Sequence, residues 1–515
     1  MSISRAAAAG ALVALLLGAY ANHFGNGFHF DDDHAITGNP YVRSLRFIPR
    51  YFVDAATFSV LPQNQNYRPV AQTTFAIDYG IGGYDARVFQ VDTFIWFVLL
   101  LASMFALARA VTGSEWQALV ATAVFGLHPA IADTVNYIVQ RAEILAALGV
   151  VLALAVFIRS PSARRSGLYL VPAVAGLLAK ATAAAFPLLL IAYLWIYERR
   201  IITRDTVVSV VVIGAASIWI TVRTPAAATF VSASPALYRL TQPFVALREF
   251  GAFFAPIGLS VDYDWMPVRG VADPAFITGA AFVTTLVAIV WGLRRSPSSR
   301  AIAFGLAWFL IAQLPTAVVP LSEVGNDWRM LLPFVGLAIA LVAAVASVAQ
   351  PVRGASSAAA LTGCAAGAVV ILLAEAAGVH ARNEVWRTDE SLWRDATEKS
   401  PENARAWMNL GVALMARSDY VDAAAACERA LVLAPDYTLV HINLGVAYGE
   451  IGRPGDAEKE FLAAQRLAPS DWRTHLYYAW WLERMRRLDD ARREMDRARA
   501  LNPAATSTEL ASGNQ

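Results

Sequence analysis

Charged residues and cysteines are both scarce in this 515-residue chain. Only 16% of the residues are charged and the formal net charge is +2, so composition gives no basis for binding nucleic acid. The two cysteines, Cys364 and Cys427, stand in an apolar stretch and in a repeat helix. They therefore predict neither a disulfide framework nor a cysteine-based metal site.

The apolar fraction is too large for a soluble protein. Hydrophobic residues make up 57% of the chain and the mean hydropathy is +0.46, which is more apolar surface than a soluble core of this size can hide. Charge is also unevenly spread, since residues 1–380 contain long uncharged stretches and residues 381–500 are dense in Arg, Asp and Glu. The sequence predicts an all-α protein, with a polytopic membrane domain over 1–380 and a helical domain in water after it.

About eleven apolar segments indicate membrane spans, each near the length that crosses a bilayer. They are residues 6–22, 88–110, 115–127, 137–158, 167–179, 182–197, 206–223, 272–293, 301–319, 329–349 and 355–378. The first follows Arg5 and is expected to stay as a span, because its length exceeds that of a usual signal-peptide core.

Basic residues give these spans a direction. Arg159, Arg164 and Arg165, then the clusters at 199–204 and 294–300, fall on alternate connections. The positive-inside rule then predicts a cytoplasmic N-terminus and a C-terminal domain outside the cytoplasm.

Two of the outer connections, 23–87 and 224–271, are too long to be turns. Loops of this length in a compact protein usually carry function. Both contain amphipathic pieces that could lie along the membrane surface.

Proline recurs with a fixed period in the C-terminal region. Pro401, Pro435, Pro469 and Pro503 are 34 residues apart, the period of the tetratricopeptide repeat (TPR). We predict three repeats over 401–502 as an α-solenoid, a connecting and capping helix over 381–400, and a disordered tail over 503–515. Such repeats indicate a binding surface and no particular chemistry.

Acidic residues open the first outer loop as Asp31-Asp32-Asp33-His34. Adjacent carboxylates repel one another, so one can gain a raised pKa and act as a general base. The same three aspartates could instead bind a divalent cation through oxygen ligands. The sequence leaves metal dependence open and predicts no other cofactor.

Further polar groups stand at membrane boundaries, where charges are costly and either pair or line a wet cavity. These candidates are Tyr67, Arg68, His128, Asp133, Arg141, Glu143, Lys180, Arg248, Asp262, Asp264, Glu323, Asp327 and Arg329. Arg141 and Glu143 could each pair with a neighbour, and Lys180 could be a topological anchor. Arg329 is more specific, because an Arg at the outer start of a span can present a bidentate fork to a phosphate.

The order of these motifs resembles a known family. Phe30-Asp31-Asp32, then Asn66-Tyr67-Arg68-Pro69, His128-Pro129, Arg141-Ala142-Glu143 and Asn326-Asp327-Trp328-Arg329, followed by TPRs, is similar to the GT-C membrane glycosyltransferases. The likeness is nearest to the TPR-containing transmembrane O-mannosyltransferases and their bacterial counterparts, and runs nearly end to end.

The resemblance implies roles for individual residues. In that family an acidic pair of the first outer loop activates an acceptor hydroxyl and the sugar comes from a polyprenyl-phosphate carrier. By motif, Asp31 is the implied base and Asp32 its partner, while Asp33 extends the run. Arg329 is the implied ligand of the donor phosphate, together with Lys180 and Arg68. Ala181 follows Lys180 where the family often has an acidic residue.

The expected function is that of an inverting glycosyltransferase in a bacterial inner membrane, with membrane lipid around it and the TPR domain in the periplasm. The acceptor would be a protein or a glycan, and the TPRs would bind it or a partner protein. The alternative is a non-catalytic membrane-anchored TPR scaffold for envelope assembly. A transporter would place polar groups at mid-membrane and show internal symmetry, and neither pattern is present in the sequence.

Overall fold

A computed structural model describes residues 5–225, 234–349 and 357–502 of the chain, with side chains in the last range from 366 onward. Within these ranges the regular elements are all helical, which confirms the all-α prediction. The predicted tail over 503–515, part of the loop 224–271 and the side chain of Cys364 lie outside the described residues.

The chain folds into two compact units. The first, the membrane unit, comprises Met1–Val261 and Trp265–Thr388, and the second, the repeat unit, comprises Asp262–Asp264 and Asp389–Gln515. The helices of the membrane unit are α1 Arg5–Ala19, α2 Ile48–Tyr51, α3 Pro69–Gly82, α4 Ala86–Thr112, α5 Glu115–Gly126, α6 Pro129–Asn136, α7 Arg141–Arg159, α8 Pro161–Ser166, α9 Leu170–Ala179, α10 Phe186–Tyr193, α11 Arg204–Arg223, α12 Pro235–Phe254, α13 Pro274–Leu293, α14 Arg300–Ala312, α15 Leu314–Val318, α16 Leu331–Ala349 and α17 Ser357–Val385.

Short 3-10 and π-helical turns join these helices. They are His23–Gly25, Asp33–Thr37, Pro40–Arg43, Leu45–Phe47, Ala55–Thr57, Pro62–Asn64, Ile138–Gln140, Ala181–Ala185, Leu194–Glu198 and Asp327–Met330. The first long loop thus consists mostly of short turns, apart from α2 and α3.

The predicted count of eleven spans is not confirmed. The described residues contain eight helical stretches that are long and apolar enough to cross a membrane, or nine if α5 and α6 count as one bent span. Pro129 cannot continue the hydrogen bonding of α5, and the two helices meet at 62°. The apolar helix α9 has only 10 residues, because the chain becomes extended at Lys180.

Small residues let the membrane helices approach closely. On α7, a β-carbon at Gly149 would lie 2.7 Å from the Cα of Gly176 on α9. On α14, a β-carbon at Gly305 would lie 2.8 Å from the backbone N of Ala340 on α16. Such contacts bring backbones together and gain van der Waals energy where lipid offers no hydrophobic driving force.

A buried ion pair fixes the C-terminal end of α17 to α6. Both carboxylate oxygens of Asp133 accept from Arg382, at 2.7 and 2.9 Å. The indole N–H of Trp386 donates to the same carboxylate at 2.7 Å. Asp133 is fully buried, so this pairing offsets the cost of desolvating its charge.

The described part of the repeat unit contains seven helices. They are α18 Asp389–Lys399, α19 Ala404–Ala416, α20 Tyr420–Leu433, α21 Thr438–Glu450, α22 Pro454–Leu467, α23 Trp472–Arg484 and α24 Leu488–Leu501. From α19 onward they form three consecutive pairs, and the glycines at the crossings have no room for a side chain: a β-carbon at Gly411 would lie 2.6 Å from the Cys427 sulfur.

A hydrogen bond recurs in each repeat. The ring nitrogens of Trp407, His441 and His475 contact the carbonyl oxygen of the proline six residues earlier, at 3.0, 2.9 and 3.2 Å. In the second and third repeats the other histidine nitrogen contacts a glutamate of the paired helix at 2.6 Å, Glu460 and Glu494 respectively. These bonds join the start of each repeat to its second helix.

Candidate active site

The three consecutive aspartates after α1 lie in three different environments. The side chain of Asp31 is 46% exposed, Asp32 is fully buried and Asp33 is exposed. The chain turns sharply just before them, because Phe30 has φ of +54°. Bulky residues rarely adopt this left-handed conformation, and it persists only where the surroundings enforce it.

Asp31 is the accessible carboxylate of the site. Its Oδ1 lies 3.0 Å from Nε2 of His34, and its backbone N–H donates to the Tyr137 hydroxyl at 3.1 Å. Burial acts to raise the pKa of this carboxyl, but the hydrogen bonds of His34 and Tyr137 and the charge of Arg68 outweigh it. Its pKa therefore lies below the ordinary value, and Asp31 is ionised at neutral pH.

Asp32 is turned inward. Its two oxygens accept from backbone N–H groups, Oδ2 from His29 at 3.0 Å and Oδ1 from Val139 at 2.8 Å. Burial raises its pKa to about 7, although both backbone bonds oppose the shift. Because Oδ1 joins the first loop to the turn before α7 and Oδ2 bonds within the loop, Asp32 helps to fix the main chain next to Asp31.

The side chain of Asp33 bonds within its own turn, away from the contacts described for Asp31 and Asp32. Its Oδ1 accepts from the Thr37 hydroxyl at 3.0 Å, within its own π-helical turn. The three aspartates therefore do not form a common set of metal ligands. Among the side chains that the structure describes, no group of three or more His, Cys, Asp or Glu could hold a metal ion.

Three basic side chains, Arg68, Lys180 and Arg329, form what we call the cationic cluster. The Lys180 ammonium contacts the Glu143 carboxylate at 2.8 Å and donates to Gln140 Oε1 at 2.6 Å. Burial lowers the pKa of Lys180; Glu143 opposes this shift, and the positive charges of Arg68 and Arg329 add to it. These side chains, from three distant segments, thus share one electropositive region.

Arg68 connects the cluster to the accessible carboxylate. Its guanidinium lies 5.1 Å from the centre of the Phe58 ring, and its charge interacts with those of Asp31 and Glu143. Arg68 precedes α3 and lies half-buried. The anionic base candidate and the cationic cluster are therefore parts of one site.

Arg329 lies on the Asp327–Met330 turn and its side chain is only 8% exposed. It donates to the backbone carbonyl of Val324 at 3.2 Å and to the Tyr238 hydroxyl at 3.4 Å. Its contact with Glu323 measures 3.6 Å, longer than an ordinary charge-assisted hydrogen bond. The guanidinium is thus held by two neutral oxygens and by the more distant Glu323 carboxylate.

Other predicted site residues have structural partners. The Tyr67 hydroxyl donates to the Phe52 carbonyl at 2.7 Å. His128 Nδ1 accepts from the backbone N–H of Ala130 at the start of α6, and its ring stacks on Phe253 with centroids 5.4 Å apart. Both side chains are thus engaged in contacts within the membrane unit.

Arg141 is also a structural residue. It is fully buried and contacts the carboxylates of Asp78 at 2.5 Å and Asp92 at 2.8 Å. Its Nε donates to the Thr93 hydroxyl at 2.9 Å. Of the Arg141-Ala142-Glu143 motif, therefore, only Glu143 joins the site, through Lys180.

The remaining candidates lie on other segments. The Arg248 guanidinium is 5.3 Å from the Trp265 ring centre, and the buried Asp327 begins the turn that carries Arg329. Asp262 and Asp264 belong to the repeat unit. There the two oxygens of Asp262 accept from Arg405, each at 2.7 Å, while Asp264 is half-buried.

The sequence analysis gave no role to the aromatic side chains around Asp31, although Phe30 and Trp328 stand in its motifs. Tyr137 contacts Phe30, Trp328 and Trp386, with ring centroids 5.5, 5.6 and 5.5 Å apart. Only their positions beside charged motifs could have indicated them, since Tyr137 precedes Arg141-Ala142-Glu143 and Trp328 precedes Arg329.

The described helices and the repeats define an integral membrane protein with C-terminal TPRs. The family model described as tetratricopeptide repeat matches residues 390–438 and 442–506, which confirms the repeats predicted from the proline period.

Known proteins with similar sequences are protein O-mannosyl-transferases by name. Protein O-mannosyl-transferase Tmtc3 of Drosophila melanogaster is 30% identical over 100 residues, which cover 19% of this chain and 11% of that protein. Protein O-mannosyl-transferase Tmtc2 of the same organism is 29% identical over 177 residues, 32% of this chain and 19% of that protein. These matches confirm the resemblance, although the chain spans only about a tenth to a fifth of these relatives' length.

Among solved structures, the crystal structure of ArnT from Cupriavidus metallidurans bound to undecaprenyl phosphate matches over 90% of this chain and 80% of that chain. The identity is 16% and the TM-score is 0.38.

Proposed function

We propose that the chain is a glycosyltransferase that moves a sugar from a polyprenyl-phosphate donor to a hydroxyl of a protein or glycan acceptor. The observation that carries the proposal is the pairing of one ionised, accessible carboxylate, Asp31, with a cluster of three cations in the same site. A base for a hydroxyl and a cradle for a phosphate are the two groups that this reaction needs.

In this mechanism Asp31 accepts the proton of the acceptor hydroxyl as its oxygen attacks the anomeric carbon. The bond from that carbon to the phosphate oxygen breaks, and the lipid phosphate leaves with the bonding electrons. Arg329, Lys180 and Arg68 stabilise the negative charge that develops on the phosphate. Attack opposite the leaving group inverts the configuration of the sugar.

Ion pairs involve some of the arginines whose positions set the proposed direction in the membrane. Arg5 at the start of α1 contacts Glu115 at the start of α5, at 2.6 Å. Arg164 on α8 contacts Glu198 at 2.5 Å. If these arginines face the cytoplasm, Asp31 and the cationic cluster face the periplasm of a bacterial inner membrane.

We propose that the repeats over 401–502 bind the acceptor or a partner protein and raise its concentration near the site. The membrane domain over 1–380, the connecting segment 381–400 and the tail 503–515 complete the proposed domain division. A non-catalytic scaffold would need the repeats but not Asp31. Substitution of Asp31 therefore distinguishes a glycosyltransferase from a scaffold.

The test compares a deletion strain carrying the wild-type chain, Asp31→Asn or Asp54→Asn. Asp54 is the matched control, since it lies in the same loop and pairs with Arg50 at 2.9 Å. Mass spectrometry of periplasmic proteins and envelope glycans should show a sugar mass with the wild type and Asp54→Asn, and its loss with Asp31→Asn.

A second pair of variants tests the phosphate cradle. Arg329→Gln should also lose the sugar mass, whereas Arg239→Gln, an exposed arginine on α12, should retain it. If Asp31→Asn restores the same masses as the wild type, or if the deletion removes no sugar at all, the glycosyltransferase proposal is wrong.

A further inference from the structure

Tyr137 occupies the connection between α6 and the turn before α7 and is only 1% exposed. Its hydroxyl accepts the backbone N–H of Asp31 at 3.1 Å. This bond fixes the main chain of the residue whose side chain is the accessible carboxylate of the site.

The ring of Tyr137 also reaches the segment that carries Arg329. It meets the Trp328 ring edge-on, at 5.6 Å between centroids and 72° between planes. Since Trp328 directly precedes Arg329, this one side chain contacts both the segment of the base candidate and the segment of the phosphate-binding candidate.

A second layer of contacts fixes the ring itself. Trp386 stacks on Tyr137 at 5.5 Å and 29°, and Phe30 packs against it at 5.5 Å. The Trp386 indole is in turn bonded to the buried Asp133. Aromatic pairs of this kind stabilise beyond the burial of their surface, and together they can hold Phe30 in its left-handed conformation.

We propose that Tyr137 is a positioning residue that sets the separation and orientation of Asp31 relative to Arg329. This inference rests on the proposed function. The hydroxyl positions the base and the ring positions the phosphate-binding segment, so the two roles can be separated by substitution.

Tyr137→Phe keeps the ring and removes the hydroxyl. The hydroxyl contributes to lowering the pKa of Asp31, so its loss should raise that pKa and move the acidic limb of the pH–rate profile to higher pH. Sugar transfer in membranes that supply the donor should fall roughly 10- to 100-fold, the value of a hydrogen bond to a charged group. Binding of polyprenyl phosphate, measured on the purified variant by native mass spectrometry, should not change.

Tyr137→Leu removes the ring as well. We expect the same loss of transfer together with weaker binding of polyprenyl phosphate, approaching that of Arg329→Gln. The matched control is Tyr51→Phe, since Tyr51 is equally buried and donates its hydroxyl to the Tyr41 carbonyl at 2.6 Å. That variant should keep the wild-type pH profile and polyprenyl phosphate binding.

The inference is overturned if Tyr137→Phe transfers sugar within twofold of wild type. It is equally overturned if the acidic limb of the pH–rate profile of Tyr137→Phe stays in place and this variant loses no more transfer activity than Tyr51→Phe. That result would indicate a purely structural effect. Should Asp31→Asn retain transfer, the proposed function itself fails, so the two failures are distinguishable.

Discussion

Arg141 provides the sharpest test of how buried charge stabilises the membrane unit. The guanidinium is fully buried and contacts two carboxylates, of which that of Asp78 is only 3% exposed. Arg141→Met would leave this carboxylate buried without its closest cation. Breaking a buried pair in this way costs about 3–5 kcal/mol, so we expect the free energy of unfolding to fall by that amount.

The assay is chemical unfolding of the purified protein in detergent micelles. Arg159→Met is the matched control, because it makes the same substitution on α7 at an exposed position and should change the free energy of unfolding by less than about 0.5 kcal/mol. Adding Asp78→Asn to Arg141→Met should restore part of the loss, since a buried amide costs less than a buried carboxylate. The reasoning is refuted if Arg141→Met is no more destabilising than Arg159→Met, or if the double variant recovers nothing.

Two further predictions concern histidine and glycine. The hydrogen bond to Glu460 raises the pKa of His441; burial opposes this shift and the Pro435 carbonyl adds to it. The His441–Glu460 pair should therefore stabilise α21 and α22 fully below the unfolded pKa of about 6.5. This stabilisation should be lost as the pH rises through the folded pKa. Hydrogen exchange of these helices in the full chain, corrected for intrinsic rate, should show a difference between wild type and His441→Gln at pH 5.5 that shrinks at higher pH; an equal difference at every pH contradicts this. Gly149→Ala should lower the unfolding midpoint in detergent, because its β-carbon would meet the α9 backbone, whereas Gly214→Ala, with open space around it, should leave the midpoint unchanged or raise it; equal effects would contradict the close crossing.

The sequence was sufficient for features that repeat or that depend on composition. The 34-residue proline period gave the TPRs, and apolar segments gave the positions of most spans. The count of eleven is not confirmed, because α9 has only 10 residues, α5 and α6 are bent by 62° against each other, and the last predicted segment lies partly outside the described residues.

The roles of identical side chains could not be predicted from their immediate neighbours. Asp31 and Asp32 differ because Asp32 bonds to Val139, 107 residues later in the chain. Arg141 is structural because Asp78, 63 residues earlier, turns toward it. Lys180 and Glu143, by contrast, were both named from the sequence and contact each other, although no pattern indicated that pairing.

The ion pair between Asp133 and Arg382 also has a consequence for biogenesis. The two residues are 249 positions apart, so α6 leaves the ribosome long before α17. During that interval Asp133 lacks the two side chains that bond to it in the finished protein, and the translocation machinery or its water must solvate the acid. Packing of the C-terminal end of α17 against α6 is therefore a late step, and a chain arrested before Arg382 should be recognised by membrane quality-control proteases.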